Sequence, residues 1–211
     1  MKILILVLSY DDSGIYTEFY KTQKQTWDSL PVEGVDTYYY FGNSDEEKID
    51  GNNIFLGVRE SLMNCAHKTI DAFNLVKDFD FDFIFRTNSS SYVDKKLLKK
   101  YVENKSNQNF YSGIIGNHMG IPFCSGSGYF LSKDLVKLII NNKSEINHNL
   151  IDDVAFGNFL KNQNIEFKQS ERFDVISNDH IPMDYFHYRL KTSHRQNDIK
   201  NMELIFLNKC K

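Results

Sequence analysis

The sequence predicts an α/β protein: a central, mostly parallel sheet flanked by helices. Three observations carry this. Short β-prone runs alternate with stretches of helical spacing along the chain. The first run, Ile3–Leu8 (ILILVL), is apolar throughout, as a strand covered on both faces must be. Polar, often glycine-bearing loops follow the runs, and open α/β sheets bind ligands where such loops gather, beyond the carboxyl ends of the strands.

The elements follow in order. Ser9-Tyr10-Asp11-Asp12 closes the first strand. Residues 16–30 carry Phe19, Thr26 and Trp27 at helix-like spacing, and Pro31 ends the helix. Val35–Phe41 (VDTYYYF) is a strand stopped by Gly42-Asn43-Ser44, and residues 53–56 form a short one. Gly57 leads into a longer helix in which Leu62, Ala66, Ile70, Phe73 and Val76 share an apolar face. Glu60, Asn64 and Lys68 line another face of it. Residues 81–87 (FDFIFRT) are a strand, followed by the polar loop Asn88-Ser89-Ser90-Ser91. Asp94 is placed to cap a helix over 95–103. Residues 110–115 and 128–131 are strands around a Gly-rich turn, 133–140 and 152–160 are helices, and 165–167 is a strand.

Composition bounds the function. The 211 residues contain 41% hydrophobic and 14% aromatic side chains, which excludes wholesale disorder and supplies a core without disulfides or metal. Three prolines, no repeat and no Ser/Gly-rich linker mark no boundary, so residues 1–211 are expected to form a single domain. A net charge of −3 creates no basic field, so no nucleic acid partner is expected, and an acidic substrate needs a few placed cations. Cys65, Cys124 and Cys210 are odd in number and widely spaced, which suits a reducing compartment. ILILVL is too short for a signal peptide or a membrane span, so a cytoplasmic protein is expected.

Four polar segments can carry chemistry: residues 9–12, 86–91, 124–128, and Asp152-Asp153. Asn88-Ser89-Ser90-Ser91 suits either a plain turn or a set of donors for phosphate or metal. Cys124-Ser125-Gly126-Ser127-Gly128 suits a simple hairpin first and a ligand cradle second. Asp152-Asp153 opens a helix, where capping and the dipole favour acids and where a general base could also stand. The GxGxxG and GK[ST] spacings are missing, and six scattered histidines without HExxH argue against catalytic zinc. Asp78, Asp80 and Asp82 alternate through KDFDFDF at the entry to the 81–87 strand. They are roughly 20 Å from its exit at about 3.3 Å per residue, and so serve as solvated or structural acids.

Taken together, these segments resemble the β1,3-galactosyltransferase and fringe family of glycosyltransferases, which have a single-domain, Rossmann-like glycosyltransferase A-type fold. Lys24-Gln25-Thr26-Trp27 is similar to the family's Arg-x-Thr-Trp. Glu60-Ser61-Leu62-Met63-Asn64 with Lys68-Thr69 resembles its Asp-Ser-Tyr-x-Asn and later Lys-Thr. The strand from Asp82 through Arg86-Thr87-Asn88-Ser89-Ser90 sits where the family has one ending in Lys-Thr-Asp-Asp-Asp. Cys124 to Ser132 is close to Ser-Gly-Gly-Gly-Tyr-Val-Leu-Ser, Asp152 to Gly157 to Glu-Asp-Val-x-x-Gly, and Phe186-His187 to a late Phe-His. The compact, anchorless form is also similar to glycosyltransferases encoded by chlorella viruses and other large DNA viruses, thought to decorate capsid glycans.

The resemblance implies transfer from a UDP-sugar donor to a glycan or glycoprotein acceptor, with inversion and a divalent cation, Mn²⁺ or Mg²⁺. It makes Asp153 the base, Ser90 and His187 metal ligands, and the loop from Ser9, Tyr10 and Asp11 the uridine site. Arg59, Lys68, Arg86, Asn88, Ser89, Gly126 and Asp152 join as donor-binding residues. One departure matters: Asn88-Ser89-Ser90 replaces the acidic motif, so the metal is expected to be weakly held or replaced by Arg59, Lys68 or Arg86. Each cation also has a structural role open to it: Arg86 with a strand neighbour, Lys68 with Glu60 or Asn64, Arg59 in solvent. A binding module without turnover, a retaining transferase and a nucleotidyltransferase remain as alternatives.

Overall fold

The computed structural model describes residues 1–177 and 180–210. Eight strands form the main sheet: β1 (Ile3–Leu8), β2 (Val35–Phe41), β3 (Lys48–Asp50), β4 (Asn53–Phe55), β5 (Phe83–Asn88), β7 (Tyr111–His118), β8 (Ile121–Ser132) and β9 (Phe167–Gln169). Their order is β3-β4-β2-β1-β5-β8-β7-β9. The run β4-β2-β1-β5 is parallel, as the alternation of strand and helix requires. Beyond β5 the sheet turns antiparallel through β8 and β7, with β9 parallel to β7. A second sheet, β10 (Phe173–Val175), β11 (His187–Leu190) and β6 (Ser91–Val93), packs beside it.

Both faces of β1 are covered, which explains its unbroken apolar run. Leu4 and Leu6 join a core with α2 (Cys65–Val76), α4 (Lys133–Asn141) and α5 (Asp152–Asn162) through Phe73, Ile139 and Phe156. Ile3, Ile5 and Val7 face the other core, shared with α1 (Ile15–Gln25), α3 (Lys95–Val102) and α6 (Arg195–Lys209) through Phe19, Leu98 and Met202. Each fully buried ring, such as Phe73 or Phe83, contributes about 1.5–3 kcal/mol of transfer free energy.

Several expected boundaries shift for local reasons. The 16–30 helix stops at Gln25, and Trp27–Ser29 is a separate 3₁₀ turn. The helix after Gly57 starts only at Cys65, because the Ser61 hydroxyl accepts from Asn64 N (3.1 Å) and caps a 3₁₀ turn, Leu62–Asn64. Glu60 therefore lies outside the helix it was expected to line. Cys124 to Gly128 is no hairpin turn but the middle of a twelve-residue strand; the chain reverses at Met119 and Gly120, both at positive φ (51° and 83°). Strands β10 and β11 and helix α6 have no counterpart in the sequence expectations. The Asp80 and Asp82 carboxylates bind Lys2 at the amino ends of β1 and β5, the latter from Lys2 N at 2.7 Å.

Candidate active site

The site grows from the carboxyl ends of β1 and β5. Leu8 and Asn88 lie side by side there. Strand β8 runs antiparallel to β5 from the Gly128–Thr87 pair, so its Ser125 to Ser127 segment overhangs the end of β5. Main-chain acceptors fix the overhang: Ser127 O receives Thr87 Oγ1 (2.6 Å) and Ser91 Oγ (3.2 Å), and Gly126 O receives the Arg86 guanidinium. Gly128 must be glycine on grounds of space, since a Cβ would lie 2.7 Å from His187 Nδ1 and 2.8 Å from Phe85 Cζ.

Three of the sequence-selected residues converge on this segment. Asp153 Oδ2 accepts from Gly126 N (2.7 Å) and its Oδ1 from Val154 N (2.9 Å). Burial pushes its carboxyl above the ordinary 3.8, and the neighbouring Asp152 charge adds to the rise. Asn88 Oδ1 lies 3.1 Å from Ser91 Oγ and is the alternative to Ser127 O as acceptor of its one proton. The same Ser91 hydroxyl bonds His187 Nε2 (3.1 Å). Burial, reinforced by Arg172 and Arg189, drives the His187 pKa well below 6.5, so this imidazole is neutral.

The expected cations are differently placed. Arg86 is 1% exposed and fully engaged: it pairs with Asp152, donates to Gly126 O, and donates from Nε to Tyr40 OH (3.1 Å). Burial opposes its charge, but Asp152 and the tyrosines outweigh that and hold it protonated. Burial pushes the Tyr40 hydroxyl up to about 12, so it stays a neutral donor toward Thr69 or an acceptor from Arg86. Lys68 is 2% exposed, pairs with Glu60 and donates to Ser9 O (2.6 Å). Glu60 in turn accepts from Gly42 N (2.6 Å). Arg59 is exposed and lines neither cavity described below. Arg86 and Lys68 are thus struts that tie loops to the sheet, because each charge already meets a carboxylate and a carbonyl.

The residues do not fit a divalent cation. Such an ion needs several hard oxygens, preferably carboxylates, aimed at one point. Among the described residues no three His, Cys, Asp or Glu side chains group in that way. Asn88 Oδ1 lies within reach of Ser90 Oγ (3.3 Å) and Ser91 Oγ, Ser89 Oγ donates to Leu8 O (3.2 Å), and His187 Nε2 is bonded to Ser91 Oγ. Ser90 and His187, expected as metal ligands, serve instead to stiffen the Asn88–Ser91 turn.

Two adjoining cavities open at this edge and share Tyr10 and Glu60. One, of about 620 Å³, is walled by Tyr10, Tyr20, Phe41 and Phe55, with Asp11 and Asn53 at hand. The other, of about 500 Å³, is lined by Ser9, Lys68, Asn88, Ser89, Ser90 and Arg195. The first carries Asp11, Asp45 and Glu60 against Lys21, the second Lys68 and Arg195 against Glu60. An aromatic, acid-rimmed chamber therefore adjoins one with an excess of positive charge. Ser9, Tyr10, Lys68, Asn88, Ser89 and Ser90 are brought together, with Asp11 next door; Arg86, Gly126, Asp152 and Asp153 are bonded to one another and line neither cavity. Arg195, Tyr20 and Phe55 escaped the sequence. The aromatic pattern of residues 35–41 could have pointed to Phe41, but nothing local marks Arg195.

Comparisons with known proteins agree with this architecture. Residues 116–171, which contain the β8 overhang and Asp152-Asp153, match the model of a family described as galactosyltransferase. The human UDP-GalNAc:beta-1,3-N-acetylgalactosaminyltransferase 1 (Homo sapiens) is 27% identical, with 69% of this chain and 49% of that protein covered. The chain spans about half the length of the curated relatives it matches. A glycosyltransferase involved in glycosylation of the major capsid of PBCV-1 superposes with a TM-score of 0.63 at 13% identity, covering 97% of this chain and 100% of that one. A mannosyltransferase from Pyrobaculum calidifontis, solved with GDP-Man and Mn²⁺, superposes with a TM-score of 0.54 at 9% identity, covering 80% and 54%. The parallel strands ending in this cleft, the overhanging β8 and these likenesses give the chain the fold of the A-type glycosyltransferases, with a galactosyltransferase-like segment over residues 116–171.

Proposed function

We propose that the protein transfers a sugar from a UDP-sugar to a hydroxyl of a glycan or glycoprotein acceptor by a single in-line displacement. One observation carries this: Asn88 and His187 both bond the Ser91 hydroxyl, which also lies 3.2 Å from Ser127 O, and Asp153 accepts from Gly126 N, so residues distant in sequence meet at two adjacent residues of β8. The aromatic chamber suits a nucleoside, with Asp11 accepting from ribose hydroxyls, and the positive chamber suits the diphosphate. Asp153 takes the acceptor proton as the acceptor oxygen bonds the anomeric carbon. The bond from that carbon to the diphosphate oxygen breaks, and its electron pair leaves with UDP. A carboxyl whose pKa burial raises above 3.8 is a stronger base than a solvated one.

The uncharged Asn88-Ser89-Ser90 favours a second reading, a donor-binding module without turnover. UDP release from a UDP-sugar with acceptor separates the two. The expected result is turnover by the wild type, and loss of about 100-fold or more in Asp153→Asn with UDP binding retained. Transfer by Asp153→Asn at the wild-type rate would remove the base from the mechanism.

A further inference from the structure

We propose that Arg195, rather than a divalent cation, meets the charge of the donor diphosphate; this rests on the nucleotide-sugar assignment above. The cavity beside the Asn88–Ser90 turn has two cations on its wall, Lys68 and Arg195. Lys68 is consumed by Glu60 and Ser9 O, and Arg86 behind the wall by Asp152 and Gly126 O. Arg195 differs. Its Nη1 donates to Asp198 Oδ2 (2.7 Å) and Leu190 O (3.4 Å), while Nε and Nη2 have no protein partner among the described residues.

The side chain is also preset. Asp198 is completely buried, and its Oδ1 is locked by Thr192 N and Thr192 Oγ1, both at 2.8 Å. The guanidinium lies over the Phe19 ring, 5.0 Å from its centroid. An arginine fixed by a buried carboxylate and an aromatic face loses little rotamer freedom on binding, and its planar fork matches two phosphate oxygens. When the anomeric carbon–oxygen bond breaks, negative charge grows on the β-phosphate oxygen, and a fixed cation stabilises it without reorganising. Asp198 is a positioning residue in this scheme.

Calorimetric titration of the purified protein with UDP and with uridine, in EDTA and in Mn²⁺, tests this. UDP affinity is expected to agree within about threefold between the two buffers, since no step of its binding uses the metal. Arg195→Ala is expected to weaken UDP by about tenfold or more, the scale of a lost charge-assisted hydrogen bond, and uridine by less than about twofold. Arg195→Gln, which keeps the stem over Phe19 and a donor for Asp198, is expected to do the same, and unchanged uridine binding shows that either variant is folded. UDP binding tightened more than about tenfold by Mn²⁺, wild-type UDP affinity in both variants, or equal affinity of the wild type for UDP and uridine would each overturn the role of Arg195. Binding of neither ligand by the wild type would overturn the nucleotide-sugar assignment itself, and this inference with it.

Discussion

Arg86 and Asp152 are both shut away from water, and each makes the other tolerable. Removing one partner of such a pair strands a buried charge, so Asp152→Ala is expected to cost about 3–5 kcal/mol of unfolding free energy in urea titrations. A loss below about 1 kcal/mol would mean that water reaches the guanidinium. His187 gives a second prediction. Its folded pKa lies well below 6.5, so below pH 6.5 the unfolded chain binds a proton that the folded protein refuses. Stability is therefore complete above that pH and falls as pH drops beneath it, by up to about 1.4 kcal/mol per pH unit. Thermal melts of His187→Gln are expected to lack that part of the acid sensitivity between pH 6.5 and 5. Asp153 has the opposite shift for an acid: its raised pKa makes the folded state bind the proton more tightly, so rising pH from 3.8 through the folded value costs stability. Melts across that window should move in favour of Asp153→Asn relative to wild type as pH rises.

At the scale of elements, α5 is held against β8 by a missing side chain. A Cβ on Gly157 would meet Pro122 O at 2.5 Å and Phe123 Cβ at 2.6 Å, both parts of the sheet that cannot swing aside. Helix propensity alone predicts that Gly157→Ala stabilises the helix by about 1 kcal/mol. The close approach decides otherwise: α5 must lift from β8, carrying Asp152 and Asp153 from Arg86 and Gly126. Gly157→Ala is expected to lower both stability, by about 1–3 kcal/mol, and transferase rate, measured together on one preparation. Helix α3 behaves as its sequence indicates. Asp94 caps it by accepting from Lys96 N (3.1 Å) and Leu97 N (3.0 Å), and also pairs with Lys209 of α6 (2.7 Å). Helix α6 was not legible because its buried stripe is thin, Ile199, Met202 and Ile205, and includes Asp198 and Asn201. β10 and β11 are three and four residues long, too short to show a period.

For the whole molecule, we propose one cooperative unit. The main sheet is covered by one core on each face, and β6 and β11 of the small sheet join the second core through Tyr92, Val93 and Tyr188. Urea unfolding followed by the fluorescence of Trp27, the single tryptophan, and by far-UV circular dichroism is expected to give superimposable curves. Separate transitions would divide the chain. The sequence by itself determined the parallel half of the sheet, because Ile3–Leu8 and Val35–Phe41 must hide apolar side chains whatever else happens. The likeness of residues 82–90, 124–132 and 152–157 to a known family pointed to the same region of the sheet, although residues 124–128 were expected to be a hairpin turn and are strand. Only the tertiary structure decided which cations stay available. Lys68 meets Ser9 across 59 positions and Arg86 meets Asp152 across 66, pairings that no local pattern encodes. Charge becomes usable where the fold leaves donors of a cation free, and here that place is the first turn of a helix the sequence did not reveal.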